Sequence, residues 1–400
     1  MKSNYDILGN HIRLIDTRNR ESITDRVLGI NIDKFFMPSV ANVIGTDLSK
    51  YKLITKGKFA CNPMHVGRDE RLPVALYDEE KPAIVSPAYF MFEVIDNSIL
   101  NEDYLMMWFR RPEFDRICWL HTDGSVRGGI TWDDICRLEL PIPPIENQLE
   151  IVNSYKTITE RIALKQKIND NLLATTQAIY KSWFVDFEPF GGVQPSEMQF
   201  IPLQELCKVV TKGTTPTTLG KSFTNSGINF IKAESIHDNH SIDSSKFAFI
   251  DEETNALLKR SIIKANDIVF TIAGTLGRFA MIDNSMLPAN TNQAVAIIRP
   301  DETKVTPAYL YSFFIGNWHN EYYSKRIQQA VQANLSLTTI KSLPIAVLND
   351  TTMSNYDKLV SPLFALMKNN EEENRRLSKL RDTLLPKLMS GELDVSDIDF

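Results

Sequence analysis

The feature that most constrains the fold of this chain is an internal repeat whose period is close to half of its length. A shift of 205 positions places similar residues on one another. The pairs are Tyr104-Leu105 with Tyr309-Leu310, Ile135 with Ile340, Leu138 with Leu343, Asn169 with Asn374, and Leu172 with Leu377. A shift of 209 positions aligns Leu53-Ile54 with Ile262-Ile263 and Phe59 with Ile268, which indicates a few residues inserted in one copy. Because a repeat fixes the architecture, the sequence predicts two similar halves.

Each half ends in a stretch whose residues follow the alternating spacing of a coiled-coil seam. The first seam runs from Ile151 to Trp183 and the second from Tyr356 to Leu388. Both seams are apolar at their ends and polar in the middle, at Lys165 and Asn169 and at Asn370 and Asn374. Polar seam residues fix register and partner, so the two helices are expected to pair with each other. In the alternative interpretation, each helix covers the core of a different domain.

Proline and glycine clusters divide the chain into four segments. Three prolines at positions 141, 143 and 144 end a first globular block, residues 1–144. A long helix is expected in residues 145–190, a second globular block in residues 191–349, and a second long helix in residues 350–400. The first helix would be about 60 Å long, at about 1.5 Å per residue. Pro386 predicts a kink or an early end of the second helix.

Both globular blocks have a mixed α/β pattern. β-rich runs interrupted by Gly, Asn and Pro predict strands from Ile268 to Ile272 and from Ala294 to Ile298. Short helices are expected from Asp103 to Arg110 and from Pro307 to Phe314. The fold class is therefore mixed α/β, with two similar domains joined by two long helices.

Composition excludes several classes of protein. The four cysteines, Cys61, Cys118, Cys136 and Cys207, form no CxxC pair, so neither a disulfide framework nor a cysteine zinc site is expected. A reducing cytoplasm fits this pattern. No run approaches the roughly 18 apolar residues of a membrane span.

The net charge of -6 argues against a nucleic-acid partner, but arginines cluster at positions 68 and 71 and again at 110, 111 and 116.

Motifs that would indicate an enzyme or a metal site are incomplete. The stretch from Gly213 to Ser222 resembles a phosphate-binding loop, but its glycines are too far apart and Pro216 removes an amide donor. Asn62-Pro63-Met64-His65 lacks the second proline of an amine-methyltransferase loop. Asp301 to Lys304 crowds its charges into one turn, unlike a nuclease site. His237 to His240 lacks a third metal ligand. Neither a catalytic residue nor a metal site is expected.

Polar loop residues in both halves remain as candidates for contacts with DNA. Asparagine and glutamine can bind adenine, arginine and lysine can bind guanine, and threonine can pack on the thymine methyl group. The candidates are Asn62, His65, Arg68, Arg71 and Arg127 in the first half, and Lys212, Thr214, Thr215, Arg278, Asn290, Asn292, Gln293, Gln329 and Asn334 in the second. A solvated polar loop explains any one of them equally well. Their recurrence in both halves favours a binding surface.

Several motifs at the junctions of these segments resemble the specificity subunits of type I restriction-modification enzymes, and the resemblance covers essentially the whole chain. Leu140 to Ile151 resembles the start of the central conserved helix of that family, and Ala178 to Phe184 resembles its end. The similar motifs of the second half are Ile268 to Arg278, Asn290 to Gln293, Gln328 through Asn334 to Ile345, and Leu384 to Gly391. Before Leu53, the first half matches the second only patchily.

The resemblance implies two target recognition domains, residues 1–144 and 191–349, joined by two long antiparallel coiled-coil helices with approximate two-fold symmetry. It implies a non-catalytic chain that reads a bipartite target in double-stranded DNA. The implied partners are two methyltransferase (modification) subunits and the restriction (motor and nuclease) subunits. S-adenosylmethionine, ATP and Mg²⁺ would belong to those partners, with no cofactor in this chain. Two other classes stay open, a non-enzymatic coiled-coil scaffold with protein-binding or glycan-binding end domains, and a stand-alone methyltransferase.

Overall fold

A computed structural model describes residues 5–41, 43–64, 66–122, 128–316 and 335–390 of the chain. The chain divides into two compact units. Unit 1 consists of Met1–Ala163 together with Arg375–Phe400, and unit 2 consists of Leu164–Asn374. The boundaries of both units fall inside the two long helices, so each helix contributes residues to both units.

Unit 1 is built from short strands and short helices that precede the first long helix. Its strands are β1 (Tyr5–Ile7), β2 (Ile12–Leu14), β3 (Val27–Ile30), β4 (Phe36–Pro38), β5 (Lys52–Ile54), β6 (Lys58–Cys61), β7 (Val74–Tyr77), β8 (Ala83–Val85), β9 (Phe90–Val94) and β10 (Glu139–Pro141). Its helices are α1 (Val66–Asp69), α2 (Glu102–Phe109), α3 (Pro112–Leu120) and α4 (Trp132–Cys136), followed by the long helix α5 (Ile145–Phe184).

Unit 2 is also built from short strands and short helices that are followed by a long helix, although α6 precedes the strand that corresponds to β6, whereas α1 follows β6. Its strands are β11 (Gln199–Pro202), β12 (Cys207–Lys212), β13 (Ile228–Ile231), β14 (Ala248–Ile250), β15 (Ile268–Thr271), β16 (Phe279–Met281), β17 (Ala289–Thr291), β18 (Val295–Pro300) and β19 (Pro344–Val347). Its helices are α6 (Glu252–Leu257), α7 (Pro307–Ile315) and α8 (Leu337–Lys341), followed by the long helix α9 (Asp350–Ser390). The strands and helices expected around residues 268, 294, 103 and 307 are all present within a few residues of their predicted ends.

The sheets of the two units have corresponding strand orders. Unit 1 has a sheet β2-β9-β6-β7, a sheet β4-β3-β8-β5 and a pair β1-β10. Unit 2 has a sheet β12-β18-β15-β16, a sheet β14-β13-β17 and a pair β11-β19. The β3-β8 and β13-β17 pairs are parallel, whereas the other pairs are antiparallel. Where unit 1 has β5, unit 2 has a single bridge between Ile263 and Ala289. The predicted repeat is therefore present in the structure, because the same strand topology occurs in both units.

Helix caps also occur in pairs that lie 205 positions apart. The side chain of Asn101 accepts a hydrogen bond from the third amide of α2 at 3.1 Å, and Thr306 does the same at α7 at 3.1 Å. Thr131 and Ser336 cap α4 and α8 in the same way, at 3.2 and 3.0 Å. Such caps satisfy amides that have no partner within the helix, and so they fix where each helix begins. The four caps are local signals that recur because both units have the same plan.

In each unit, two hydrophobic cores share the strands of one four-stranded sheet, β2-β9-β6-β7 in unit 1 and β12-β18-β15-β16 in unit 2. In unit 2, Ile268 and Phe270 of β15 pack with α7 and the long helices, whereas Val269 packs against the second sheet. In unit 1, Phe59 and Ala60 of β6 are divided between two cores in the same way. Successive side chains of a strand point to opposite faces, so a strand that is apolar throughout is buried on both faces.

The long helices contribute to the larger core of each unit. In unit 1, Ile151 and Val152 of α5 belong to the same core as Leu388 and Met389 of α9. In unit 2, the ring of Tyr180 lies 6.4 Å from that of Tyr356, edge to face. An early residue of one helix therefore meets a late residue of the other, so the paired stretches run in opposite directions.

Polar contacts join the middle of the two helices within unit 2. The Lys165 ammonium lies 2.7 Å from the Glu373 carboxylate and donates to the Asn370 amide oxygen at 3.1 Å. Asn370 donates to the Asn169 oxygen at 2.8 Å, and Asn169 donates to the Met367 carbonyl at 3.2 Å. Asn169 and Asn370 are both buried, so the polar centre predicted from the seams is an interhelical hydrogen-bond network.

The helices end close to their predicted limits, with one difference. The first, expected within residues 145–190, ends at Phe184. The second continues through Pro386 to Ser390, so the expected early stop is not present. Within the described ranges, no helix combines the length and the apolar character that a membrane span requires. The four segment boundaries drawn from the sequence remain predictions.

Candidate nucleic-acid interface

Two loops of unit 2 meet at the ends of β12 and β17. The Thr214 amide donates to the Thr291 carbonyl at 3.2 Å. The Thr215 amide donates to the side-chain oxygen of Gln293 at 3.2 Å, and the Thr215 hydroxyl donates to the same oxygen. Gln293 is exposed. The sequence candidates Thr214, Thr215 and Gln293 therefore belong to one cluster.

Gly213 makes this approach possible. A Cβ atom at Gly213 would overlap the Thr291 carbonyl oxygen, so no other residue fits at this position. Glycine is needed where one backbone passes so near another. The adjacent amides of Thr214 and Thr215 are already occupied within the protein, so the loop does not form the amide cradle of a phosphate-binding loop. The nucleotide-binding interpretation of this stretch is not supported.

Arg260 joins the cluster, although the sequence did not single it out. Its guanidinium lies 3.4 Å from the Thr214 hydroxyl, 46 residues away in the chain. Lys212 is exposed at the end of β12, beside the same loop. Together these two cations supply positive charge next to hydroxyl and amide groups, the combination that binds phosphates and base edges. The signal that could have identified Arg260 is the adjacent pair Lys259-Arg260 in an otherwise apolar stretch.

Asn290 is a correction to the sequence-based candidates. Its side chain is completely buried and donates to the Asn255 side chain at 2.8 Å and to the Leu258 carbonyl at 3.3 Å. A buried amide must be hydrogen-bonded inside the protein, and this one links β17 to α6. Asn290 therefore stabilises the fold and does not present its amide to a base edge.

Asn292 is half-buried, and its oxygen accepts from the Ala294 amide at 3.1 Å, which shapes the turn before β18.

Arg278 immediately precedes β16 and is held by two partners. Its guanidinium binds both carboxylate oxygens of Asp238, at 2.7 and 2.8 Å, and the Ile236 carbonyl at 3.2 Å. Its side chain is 25% exposed, so it lies at the surface without projecting freely. Glycines 274 and 277 take left-handed conformations in the turn before it, with open space around them.

In unit 1, the described candidates lie around α1 and the start of β7. The Asn62 oxygen accepts from the Met64 amide at 3.2 Å. Arg68 is exposed and is paired with Asp69 at 2.6 Å, and Arg71 is exposed and is paired with Asp33 at 2.9 Å. Both arginines therefore lie at the surface, and each is held in an ion pair. His65, Arg127, Gln329 and Asn334 lie outside the described residues.

Three of the four cysteines lie in surroundings that keep the thiol protonated. Burial raises the pKa of the Cys118 thiol to about 12 and that of the Cys207 thiol to about 12. Complete burial raises the pKa of the Cys61 thiol in the same direction, so these three thiols stay protonated near neutral pH. A thiolate nucleophile is not favoured by such surroundings.

Metal-binding side chains are also dispersed. Within the described residues, no group of three or more metal-ligating side chains comes together. The His240 ring stacks on Phe279, with centroids 4.1 Å apart, and Asp238 pairs with Arg278. The interpretation of His237 to His240 as a polar loop fits this arrangement.

The comparisons with known proteins agree with the sequence resemblance. Residues 195–350 match the family model of the type I restriction modification DNA specificity domain. The specificity subunit of the type I restriction enzyme HindI from Haemophilus influenzae is 23% identical over an alignment 436 residues long. The alignment covers 90% of this chain and 92% of that protein. The MjaIX specificity subunit from Methanocaldococcus jannaschii is 25% identical over 347 residues, which cover 82% of this chain and 77% of that protein.

A solved structure has a similar fold along the whole chain. The S subunit of a type I restriction-modification system from M. genitalium matches with a TM-score of 0.55 at 15% identity, over 96% of this chain and 95% of that one. At this identity, the likeness concerns the fold. With the family model and the two relatives, it confirms the resemblance to type I specificity subunits that the junction motifs indicated.

Proposed function

We propose, on the premise that this chain is a relative of the type I restriction-modification specificity subunits, that it reads a bipartite DNA target and directs partner enzymes to it. The family model covers residues 195–350, which lie within unit 2. Unit 1 has the corresponding strand order, the same parallel strand pair and the same helix caps. The observation that carries the proposal is this repetition, because two domains of one plan can each read one half of a target.

The loop cluster around Gly213, Thr215 and Gln293 is the proposed contact surface of unit 2. It combines amide and hydroxyl groups at the surface with the cations Lys212 and Arg260. In unit 1, the corresponding role is proposed for Asn62, Arg68 and Arg71, with His65 and Arg127 as further candidates. Gln329 and Asn334 are further candidates in the second domain. Cations near phosphates supply affinity, and amides at base edges supply specificity.

The long helices are proposed to pair as an antiparallel coiled coil that sets the separation of the two domains. The hydrogen-bond network of Lys165, Asn169 and Asn370 supports this role, because buried polar contacts fix the register of paired helices. An approximate two-fold relation between residues 1–144 and 191–349 belongs to the same proposal. Residues 145–190 and 350–400 would then form the spacer.

The proposed partners supply the chemistry. Two methyltransferase subunits would bind S-adenosylmethionine, and restriction subunits would use ATP and Mg²⁺, while this chain acts without a cofactor and without catalysis. The complex would work in the cytoplasm.

Methylation mapping of the host genome, with and without this chain, tests the proposal. The expected result is a bipartite methylated motif that disappears when the chain is removed. A matched measurement on the purified chain should find duplex binding that weakens steeply as salt rises, because phosphate contacts release counterions. Unchanged methylation, together with no retention of duplex at low salt, would instead favour a protein-binding scaffold. Methyl transfer to DNA by the purified chain alone would indicate a methyltransferase.

A further inference from the structure

A five-residue turn of the same geometry occurs in each unit. Residues 31–35 join β3 to β4, and residues 237–241 lie in the connection from β13 to β14. In both turns the first amide donates to the fifth carbonyl, at 2.9 and 3.0 Å, and the fourth amide donates to the first carbonyl, at 2.9 and 3.1 Å. The fourth residues, Lys34 and His240, have left-handed conformations with φ of 67° and 65°. The sequence alignment does not match these segments, so the repeated turn is visible only in the structure.

A basic side chain directed into the unit anchors each turn. The Lys34 ammonium is buried, where it lies 2.7 Å from the Asp115 carboxylate and donates to the Phe109 carbonyl. In unit 2, the His240 ring stacks on Phe279 at the start of β16, with ring centroids 4.1 Å apart. These contacts fix each turn on the side that faces the interior of the unit, independently of the residues on its outer side.

An exposed aspartate on each turn holds an arginine from the other sheet of the same unit. Asp33, 66% exposed, accepts from Arg71, which precedes β7, at 2.9 Å. Asp238, 81% exposed, binds Arg278, which precedes β16, through both of its carboxylate oxygens. Both arginines are candidates for contacts with DNA. In both units, therefore, a carboxylate binds the guanidinium of an arginine that is a candidate for contacts with DNA.

We propose that Asp33 and Asp238 are positioning residues that restrain Arg71 and Arg278 and thereby reduce binding to DNA that is not the target. The inference rests on the proposed function. The arginine fork matches carboxylate and phosphate in the same paired geometry, so one can replace the other. Exposed ion pairs are weak, which makes the exchange accessible when the target brings the phosphates close. On other DNA, the arginine stays with its aspartate, and the exposed carboxylate repels the backbone.

A purely structural ion pair makes a different prediction. If Asp238 served only to brace the turn, its removal would lower stability and would weaken binding to every duplex alike. The restraint proposed here predicts tighter binding to DNA of unrelated sequence, because Arg278 is released toward phosphate. The two roles therefore change the affinity for unrelated DNA in opposite directions.

The test uses the full chain carrying Asp238→Asn, with equilibrium binding to the poly(dI-dC) duplex and to the target duplex identified by methylation mapping. We expect the affinity for poly(dI-dC) to rise about threefold, and its logarithmic dependence on salt to steepen by about 0.9, the slope that one added phosphate contact contributes. The preference for the target should fall. Asp33→Asn should act in the same way through Arg71. Asp186→Asn, which removes an exposed carboxylate paired with Lys181, is the matched control and should leave all three measurements unchanged.

A double-mutant cycle separates the restraint of Arg278 from a general effect of charge. In an Arg278→Ala background, Asp238→Asn should no longer change binding to poly(dI-dC), since the arginine it restrains is absent. The inference is overturned if both asparagine variants bind poly(dI-dC) no more tightly than the wild-type chain, or if the gain persists without Arg278. If the wild-type chain prefers no duplex over poly(dI-dC), the proposed function fails, and the inference fails with it.

Discussion

Gln293 joins two loops of unit 2 through its side-chain oxygen, which accepts from both the amide and the hydroxyl of Thr215. The residue is exposed, so its interactions within the protein do not remove it from the surface. Gly213 allows the loops to meet, because no other residue fits against the Thr291 carbonyl. Loop geometry and the proposed recognition of DNA are therefore linked through one side chain.

Gln293→Ala should cost about 1 kcal/mol of unfolding free energy, because one acceptor of the loop is lost. Its effect on the target should be larger, about 1 to 3 kcal/mol, if the amide also contacts a base. Gln293→Glu retains an acceptor for Thr215 and should keep the unfolding free energy, but its charge should weaken binding to any duplex. Denaturant unfolding and duplex titration measure the two effects.

The matched control is Gln204→Ala, at an exposed glutamine of the same unit that lies outside the loop cluster. It should leave both stability and duplex binding unchanged. Wild-type affinity in both Gln293 variants, for the target and for single-base variants of it, would remove this residue from the proposed surface.

At the scale of elements, the polar middle of the two long helices has a defined register. Lys165 faces Asn370 and Glu373, and Asn169 faces Met367, so α5 and α9 run in opposite directions there. A residue near position 171 of α5 therefore faces the region near position 366 of α9. Any change in helix length that preserves the network must be made at these facing positions, and not at positions equivalent in the sequence repeat.

Insertion of one heptad after Asn171, with a second heptad after Ala365, should lengthen both helices by about 10 Å at about 1.5 Å per residue. The contacts of Lys165 with Glu373 and of Tyr180 with Tyr356 lie on opposite sides of the insertions and should persist. If the helices set the spacing, the unread gap in the methylated motif should grow by about three base pairs, at about 3.4 Å each. Methylation mapping measures the gap.

A second pair of insertions, after Asn171 and after Arg376, is the control with the same added length. It shifts the stretch that contains Asn370 relative to Lys165 and Asn169, so thermal stability should fall. The role of the helices as spacer would be contradicted if the variant with insertions after Asn171 and Ala365 still methylated both half-sites with an unchanged gap between them.

At the scale of the whole molecule, each domain should read its own half of the target. Replacement of residues 198–348 by the corresponding block of a relative should alter one half of the methylated motif and leave the other half and the gap intact. The expectation follows from the separate cores of the two units. Methylation mapping of the hybrid compares the two halves directly, and a change in both halves would mean that the domains do not act independently.

The sequence by itself determined the repeat, the long helices and the resemblance to type I specificity subunits. These depend on local or periodic signals, such as the seams and the proline clusters, which can be recognised without knowledge of distant contacts. The repeat was clearest near the ends of each half, where the offset of 205 holds from α2 to α5 and from α7 to α9. Earlier segments differ in loop length, and there the alignment was lost.

Only the tertiary structure decided which polar residues lie at the surface and which are hydrogen-bonded inside the protein. Asn290 and Gln293 are three positions apart and have similar side chains, yet one is buried against Asn255 and the other is exposed beside Thr215. The pair of Arg278 with Asp238 joins residues 40 positions apart. Such partners come from other segments of the chain, and the burial of a polar group depends on what packs over it. Residue type and spacing along the chain therefore do not specify them.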